Sequence, residues 1–223
     1  MQVIISVVKG LAMVIEWFEE LPSTHQYLID RLKQGQIHTP YAIGVDRQTQ
    51  GVGSRGNTWF GGKGNLFFSF CVEEKHLPID LPLASISIYF SALMKEILAN
   101  KSSKVWLKWP NDFYLQDKKI GGIITTKVGS WIIGSIGLNL CSSPPEFGTL
   151  DIQITPKEIA SLLIKSIEEK ITWKKVFSNY KIEFYKNVSF AFHLDGKKVS
   201  LRDAVLEDDG SIVLENKKVY SLR

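Results

Sequence analysis

Residues 107–126, LKWPNDFYLQDKKIGGIITT, leave the chain little choice of local structure. Pro110 pushes Trp109, the residue before it, out of the helical region, and an Asn-Asp pair after proline favours a turn. The flanking runs are apolar and rich in β-formers, so the segment is expected to be a strand, a turn and a returning strand. That hairpin gathers Lys108, Asn111 and Asp112 around its turn and brings Lys119 back along them, next to Gly121 and Gly122. Single lysines are usually solvated. A lysine beside a diglycine inside an apolar strand is less usual, because the missing Cβ atoms let a ligand lie against the backbone.

The rest of the chain reads as alternating strands and helices. VIEWFEEL is a strand pattern, and PSTHQYLIDRLKQG opens and carries a helix, with Ser23 and Gln26 spaced as a capping box and Gly35 as its stop. TPYAIGVDRQ feeds a glycine-rich loop, GVGSRGNTWFGGKGN, and NLFFSFCVE leaves it as a buried strand. In residues 80–100, Leu83, Ile86, Phe90, Leu93, Met94 and Ile97 recur at helical spacing, with Pro82 in the first turn. KVWLKW and SWIIGSIGLNL add short β-rich runs, and residues 156–187 read as amphipathic helix. From residue 188 on, short strands are broken by DG, DDG and ENK turns, the pattern of a small β-barrel. The expectation is an α+β main domain over 1–187 and a small β module over 188–223.

A chain of 223 residues can bury a full core without disulfides or metal. Its net charge of +4 is mild and its lysines are scattered, which argues against a nucleic-acid surface. Cys71 and Cys141 sit far apart in apolar company and read as two reduced, buried thiols of a cytoplasmic protein. The four histidines show no metal-ligand spacing, and no apolar run is long enough to span a membrane. The start, MQVIISVVKGLAMVIEW, lacks the cleavage site of a signal peptide. Met13 would begin a complete first strand, so residues 1–12 are either an added strand or an over-long gene start.

The glycine-rich loop is not a P-loop. Asn57 stands where the first glycine is required, Gly64 replaces the hydroxyl after Lys63, and a strand follows instead of a helix. Left to itself, it can be a ligand loop or a hairpin loop whose glycines serve turns.

Taken together, the motifs resemble those of biotin protein ligases. LKWPNDFYLQDKKIGGI is similar to their K-W-P-N-D block with its lysine seven residues after the aspartate. QTQGVGSRGNTW resembles a variant of their Q-x-x-G-R-G-R-R-G-R-x-W loop, PSTHQYL their S-T-N helix start, and GLNL their later G-x-N segment. The resemblance runs from about residue 14 to the end. It implies a catalytic domain of the class II aminoacyl-tRNA synthetase and biotin ligase type, a mixed sheet flanked by helices, with an SH3-like C-terminal barrel. It also implies joining of biotin to ATP as biotinyl-5′-AMP, then transfer to one lysine of a biotin carboxyl carrier protein.

Carried over by motif, Ser23, Thr24, His25 and Gln48 would bind the biotin head group, with His25 standing where the family has Asn. Gly51, Val52, Gly53 and Ser54 would close over biotin, and Gly121 and Gly122 would lie along it. Lys119 would meet the biotin carboxylate and, with Arg55, act in catalysis. Arg55, Lys108, Asn111, Asp112 and Asn139 would serve ATP. Magnesium would accompany the triphosphate, with its protein ligands unassigned. Trp59 and Trp109 are expected in the core rather than against a base.

The loop departs from the family at Val52, Ser54 and Asn57, each of which replaces an arginine and leaves Arg55 alone. Weaker retention of the adenylate is expected unless Lys63 or Arg47 compensates. The catalytic motifs begin so early that a DNA-binding helix-turn-helix before them, and with it specific DNA binding, is not expected. A homodimer stays open. The other readings are a lipoate or octanoate ligase and a non-catalytic biotin or nucleotide sensor.

Overall fold

The computed structural model describes residues 2–8, 11–53, 58–59, 62–194 and 196–221. Its centre is an eight-stranded sheet of β1 (Gln2–Val8), β2 (Leu11–Leu21), β3 (Tyr41–Gln48), β4 (Leu66–Glu73), β5 (Trp106–Lys108), β6 (Asp112–Leu115), β7 (Lys118–Val128) and β8 (Trp131–Leu138). They lie in the order β1-β2-β3-β4-β8-β7-β6-β5. The sheet is mixed. β2 and β3 run parallel, joined by helix α1 (Thr24–Lys33) as the crossover that parallel strands need, and the other neighbours are antiparallel. Residues Gln2–Val8 pair antiparallel with β2, with Gln2 opposite Trp17 and Val8 opposite Leu11.

β4 is buried along Leu66–Val72 and apolar there apart from Ser69, because both of its faces are covered. Leu66, Phe68, Phe70 and Val72 enter the larger core, with helices α2 (Ile86–Asn100), α3 (Pro156–Glu168) and α4 (Trp173–Glu183). Cys71 enters a smaller cluster with Leu28 of α1, Ile43 and Ile133. The two-residue period of a strand therefore puts Ser69 on the α1 side. By the same alternation Ser135 and Gly137 of β8 share the face of Ile133, and Gly122 and Thr126 of β7 lie opposite the face of Ile123, which belongs to the larger core. One helix covers this side of the sheet, and the start of that helix stands above these small and hydroxylated positions.

Several local expectations need adjustment. Ser23 caps α1 by accepting from the Gln26 amide at 3.3 Å, but the Gln26 side chain turns to Asp30 at 2.8 Å, so only half of the capping box forms. Gly35 ends the helix with a φ of +65°. Pro82 is extended and precedes a single tight turn, Leu83–Ser85, so α2 starts later than expected, at Ile86. Residues 156–187 break between α3 and α4 at Lys170, whose φ is +48°. Cys71 is buried, which pushes its thiol up to about 12, whereas Cys141, expected to be buried, is exposed.

The strands expected after residue 188 form a two-stranded sheet, β9 (Ala191–Leu194) with β10 (Lys197–Ser200), and a three-stranded one of β11 (Val205–Leu206), β12 (Ile212–Leu214) and β13 (Lys217–Val219). Phe192, Leu201, Ile212, Leu214 and Val219 belong to the larger core. Trp109 links the two regions. It is buried, its ring meets Phe192 edge-on at 5.1 Å, its amide donates to Asn187 Oδ1 at 2.7 Å, and its indole N–H donates to the Gly210 carbonyl at 3.0 Å. The C-terminal strands thus help to hold the 107–126 hairpin in place.

Candidate functional site

The polar end of the site is built where α1 begins. The Thr24 amide and hydroxyl both donate to Gln48 Oε1, at 2.8 and 3.1 Å, tying the first turn of α1 to the last residue of β3. Ser69 of β4 hydrogen-bonds both Thr24 Oγ1 and Ser135 Oγ at 2.7 Å. Ser135 meets His25 Nδ1 at 2.7 Å, and Thr126 of β7 meets His25 Nε2 at 3.1 Å. Burial lowers the imidazole pKa to about 4, since charging it here would forfeit hydration. At neutral pH this end of the site is therefore uncharged.

The other end is cationic and comes from the hairpin. Asn111 locks the turn: its carbonyl accepts from the Ile123 amide at 3.0 Å and its side-chain amide donates to the Ile123 carbonyl. Asp112 then lies opposite Gly122 in the β6–β7 register. Asp112 Oδ1 pairs with Lys119 Nζ at 2.5 Å, and Oδ2 lies 3.6 Å from Lys108 Nζ. Two lysines around one carboxylate leave one positive charge. Lys108, which could have been a solvated edge residue, is 8% exposed and lies over the Tyr114 ring at 5.7 Å.

The neck of the glycine-rich loop forms the remaining wall. Val52 and Thr58 make an antiparallel bridge, and the Trp59 amide donates to the Gly51 carbonyl at 2.8 Å. A Cβ on Gly51 would come within 2.7 Å of the Trp59 carbonyl, so this glycine allows the neck to close. Trp59, expected in the core, instead lies against Gly137, where a Cβ would stand 2.4 Å from its Nε1. Lys119 Nζ is 5.8 Å from the Trp59 ring centre, and the Phe147 ring lies tilted to the indole with centres 6.2 Å apart. The indole N–H is buried without a hydrogen-bond partner among the described residues.

Together these groups enclose a cavity of about 280 Å³, near the lower limit for small-molecule pockets. Of the residues expected from sequence, Ser23, Thr24, His25, Gln48, Val52, Gly53, Asn111, Asp112, Lys119 and Gly122 line it. Ser23 is thus both a helix cap and a wall residue. Gly51, Gly121, Lys108 and Asn139 do not line it. Gly121 is small because a Cβ would come within 2.6 Å of the Gly137 carbonyl on β8, a strand-packing reason and not a ligand one. Asn139 is buried and donates to the Gly148 carbonyl at 3.1 Å, holding the chain after β8. Ser54, Arg55 and Asn57 lie outside the described residues. Arg47 pairs with Glu20 at 3.1 Å, and neither it nor Lys63 lines the cavity.

Sequence reasoning missed Ser69, Thr126, Ser135, Gly137 and Phe147. The signal available was small: hydroxyl residues at buried alternate positions of apolar strands. Among the described residues no three metal-ligating side chains cluster, and no helix is long and apolar enough to cross a membrane.

The site is thus a pocket on a mixed sheet, uncharged and polar at one end and cationic at the other. The chain belongs to the biotin/lipoate A/B protein ligase family, whose profile matches residues 17–140. It is 35% identical over 127 residues to the bifunctional ligase/repressor BirA of Escherichia coli, a match covering 54% of this chain and 38% of that one. The chain therefore spans well under half the length of that curated relative. The crystal structure of biotin acetyl coenzyme A carboxylase synthetase from Helicobacter pylori, with bound biotinylated ATP, is 40% identical with a TM-score of 0.88. That match covers 92% of this chain and 99% of the other. Biotin protein ligase from Aquifex aeolicus, in complex with biotin and ATP, shares the fold at 23% identity and a TM-score of 0.72, covering 94% and 95% of the two chains.

Proposed function

We propose that the chain activates biotin with ATP and passes the biotinyl group to a lysine of a biotin carboxyl carrier protein. The observation that carries this reading is the cavity itself, which joins the Thr24–Gln48 end to Lys119 across a length lined by Ile124 and Trp59. Such a pocket accommodates a polar head group, an apolar chain and a carboxylate in that order. Relatives whose names state biotin ligation match the sequence, and solved biotin protein ligases share the fold.

In the first step a carboxylate oxygen of biotin bonds to the α-phosphorus of ATP and the bond to the β-phosphate oxygen breaks. Pyrophosphate leaves. Lys119 offsets the repulsion between carboxylate and phosphate, and it must leave Asp112 to do so fully. In the second step a lysine amine of the carrier attacks the acyl carbon, AMP departs, and the amine loses a proton to solvent. The anhydride is prone to hydrolysis, so the loop whose neck is Gly51 to Trp59 serves by excluding water. Magnesium fits as an ion carried by the triphosphate. Among the described residues Asp112 is the lining carboxylate that would hold it, and magnesium would supply charge neutralisation at the phosphates.

The test is biotin-dependent exchange of labelled pyrophosphate into ATP, followed by labelling of a carrier domain. Lys119→Ala is expected to lower exchange by about 100-fold or more, while the Lys108→Ala variant keeps the lining lysine. Full exchange in Lys119→Ala would overturn the assignment, and activity with lipoate equal to that with biotin would favour the lipoate branch of the family.

A further inference from the structure

We propose that Asn65 is a positioning residue that keeps the acyl adenylate enclosed: its side chain ties the end of the glycine-rich segment to residues 140–142, the start of a strap that carries Phe147 to the pocket wall beside Trp59. This rests on the reading that the cavity makes biotinyl-5′-AMP. Asn65 does not line the cavity, yet it meets the strap through four hydrogen bonds.

Asn65 stands just before β4 and is 1% exposed. Its Oδ1 accepts the amides of Leu140, Cys141 and Ser142 at 3.0, 3.2 and 3.3 Å, and its Nδ2 donates to the Ser142 carbonyl at 2.8 Å. Three successive amides aimed at one point form a concave nest that takes an oxygen. The planar amide of asparagine fills that nest and also supplies a proton to the adjoining carbonyl. The two segments are closely packed at this junction. Cys141 Sγ lies 3.5 Å from the Lys63 carbonyl oxygen, and a Cβ on Gly64 would come within 2.6 Å of the same sulfur.

The far end of the strap is pinned beside Lys119. The Leu150 amide donates to the Asn139 carbonyl at 2.8 Å, and the Gly148 amide donates to the Lys119 carbonyl at 2.9 Å. Between the two ends, the Phe147 amide closes a turn on the Pro144 carbonyl at 2.9 Å. Phe147 lines the cavity, with its ring centre 6.2 Å from that of Trp59. The two rings thus come from the two segments that Asn65 joins, and Lys119 Nζ lies 5.8 Å from one of them. Loss of the Asn65 side chain leaves three amides and a carbonyl without their partner. The near end of the strap is then free to lift, and Phe147 draws back from Trp59 at the end of the pocket where the carboxylate is activated. Water reaches the anhydride there. The Thr24–Gln48 end is built from other elements and keeps its hydrogen bonds.

The test follows the lifetime of bound biotinyl-5′-AMP. The full chain is loaded with biotin and labelled ATP, freed of excess nucleotide by rapid gel filtration, and sampled over time without carrier. Asn65→Ala is expected to shorten the lifetime at least about tenfold. Asn65→Asp keeps the oxygen and loses the proton donated to Ser142, so its lifetime should fall between those of the parent and Asn65→Ala. Should Asn65→Ala fail to fold, Asn65→Asp decides, and a parent-like lifetime there overturns the proposal. Phe147→Ala should match Asn65→Ala, and the double variant should lose no more than about threefold beyond the larger single effect, because both act on one wall. Asp80→Ala controls for lost stability: it strips the Trp173 and Lys174 amides of their acceptor at the start of α4, outside the cavity lining. Its lifetime should stay within about twofold of the parent. A parent-like lifetime in Asn65→Ala, effects of Asn65→Ala and Phe147→Ala that multiply, or an equal shortening in Asp80→Ala overturns the proposal. A parent that makes no biotinyl-5′-AMP brings down the functional reading and this proposal together, whereas variants that hold it as long as an active parent refute the role of Asn65 alone.

Discussion

Lowering the pH from 7 to 5 protonates His25 in the unfolded chain but leaves it mostly neutral in the folded one. Burial lowers its pKa from the ordinary 6.5 to about 4, and the residue is only 8% exposed, so solvent screening is slight. A base whose folded pKa is depressed makes the folded state bind fewer protons than the unfolded state. Stability therefore falls with pH between about 6.5 and 4 and levels off below. At pH 5 the unfolded histidine is almost fully charged and the folded one about a tenth charged, which gives a loss of about 2 kcal/mol; at pH 4 the loss approaches 3 kcal/mol. Other groups titrate in this range, notably His76, whose pKa is lowered by desolvation and by the nearby Lys170 and Lys75. Subtraction of a His25→Asn variant removes them. Urea midpoints at pH 7 and 5 for both proteins are the assay. With a slope of about 3 kcal/mol per molar for a chain of this size, the parent should lose about 0.7 M more than the variant. Equal losses would mean that His25 is solvated or already charged, and the argument for a neutral pocket end would fail.

Three further outcomes are expected. Gly137→Ala puts a methyl where Trp59 lies, 2.4 Å from its Nε1, and β8 is held on both sides by β4 and β7. The indole must give way, so calorimetry should show biotin binding weakened about tenfold with stability changed by less than about 1 kcal/mol; unaltered binding would remove Trp59 from the wall. Asn65 is buried and its Oδ1 accepts the amides of Leu140, Cys141 and Ser142 at 3.0, 3.2 and 3.3 Å. Asn65→Ala should therefore cost about 3 kcal/mol in a denaturant titration, and a cost below about 1 would show that water replaces the side chain. Val52 lines the cavity and carries no charge, so biotinyl-AMP should dissociate faster than from a ligase with all four loop arginines, and equally slow release would contradict this.

The sequence made the hairpin legible because proline, Asn-Asp and a diglycine at fixed spacing admit few structures. Asp112 opposite Gly122, with Lys119 on Asp112, follows from that spacing. The buried hydroxyls were not legible. Ser69 and Ser135 meet because β4 pairs with β8, and nothing local in either strand announces a partner 66 residues away. His25 joins them from a helix start, so its role is visible only in three dimensions. Cys141 was misread for the opposite reason: apolar neighbours in sequence suggested burial, yet it is exposed just after β8. Gly121 shows a further limit, since glycine marks close approach without saying whether strand or ligand approaches. The same holds for Asn139, whose motif suggested ATP while its side chain holds the Gly148 carbonyl.

The central claim, that this cavity makes an acyl adenylate, is tested most directly by product analysis. The chain is mixed with biotin, ATP and magnesium, the reaction is quenched, and the nucleotides are identified by mass spectrometry. The account predicts biotinyl-5′-AMP and pyrophosphate in equal amounts, both lost in Lys119→Ala. ATP consumed with no biotinylated nucleotide, or the same products from Lys119→Ala at the parent's rate, would contradict it.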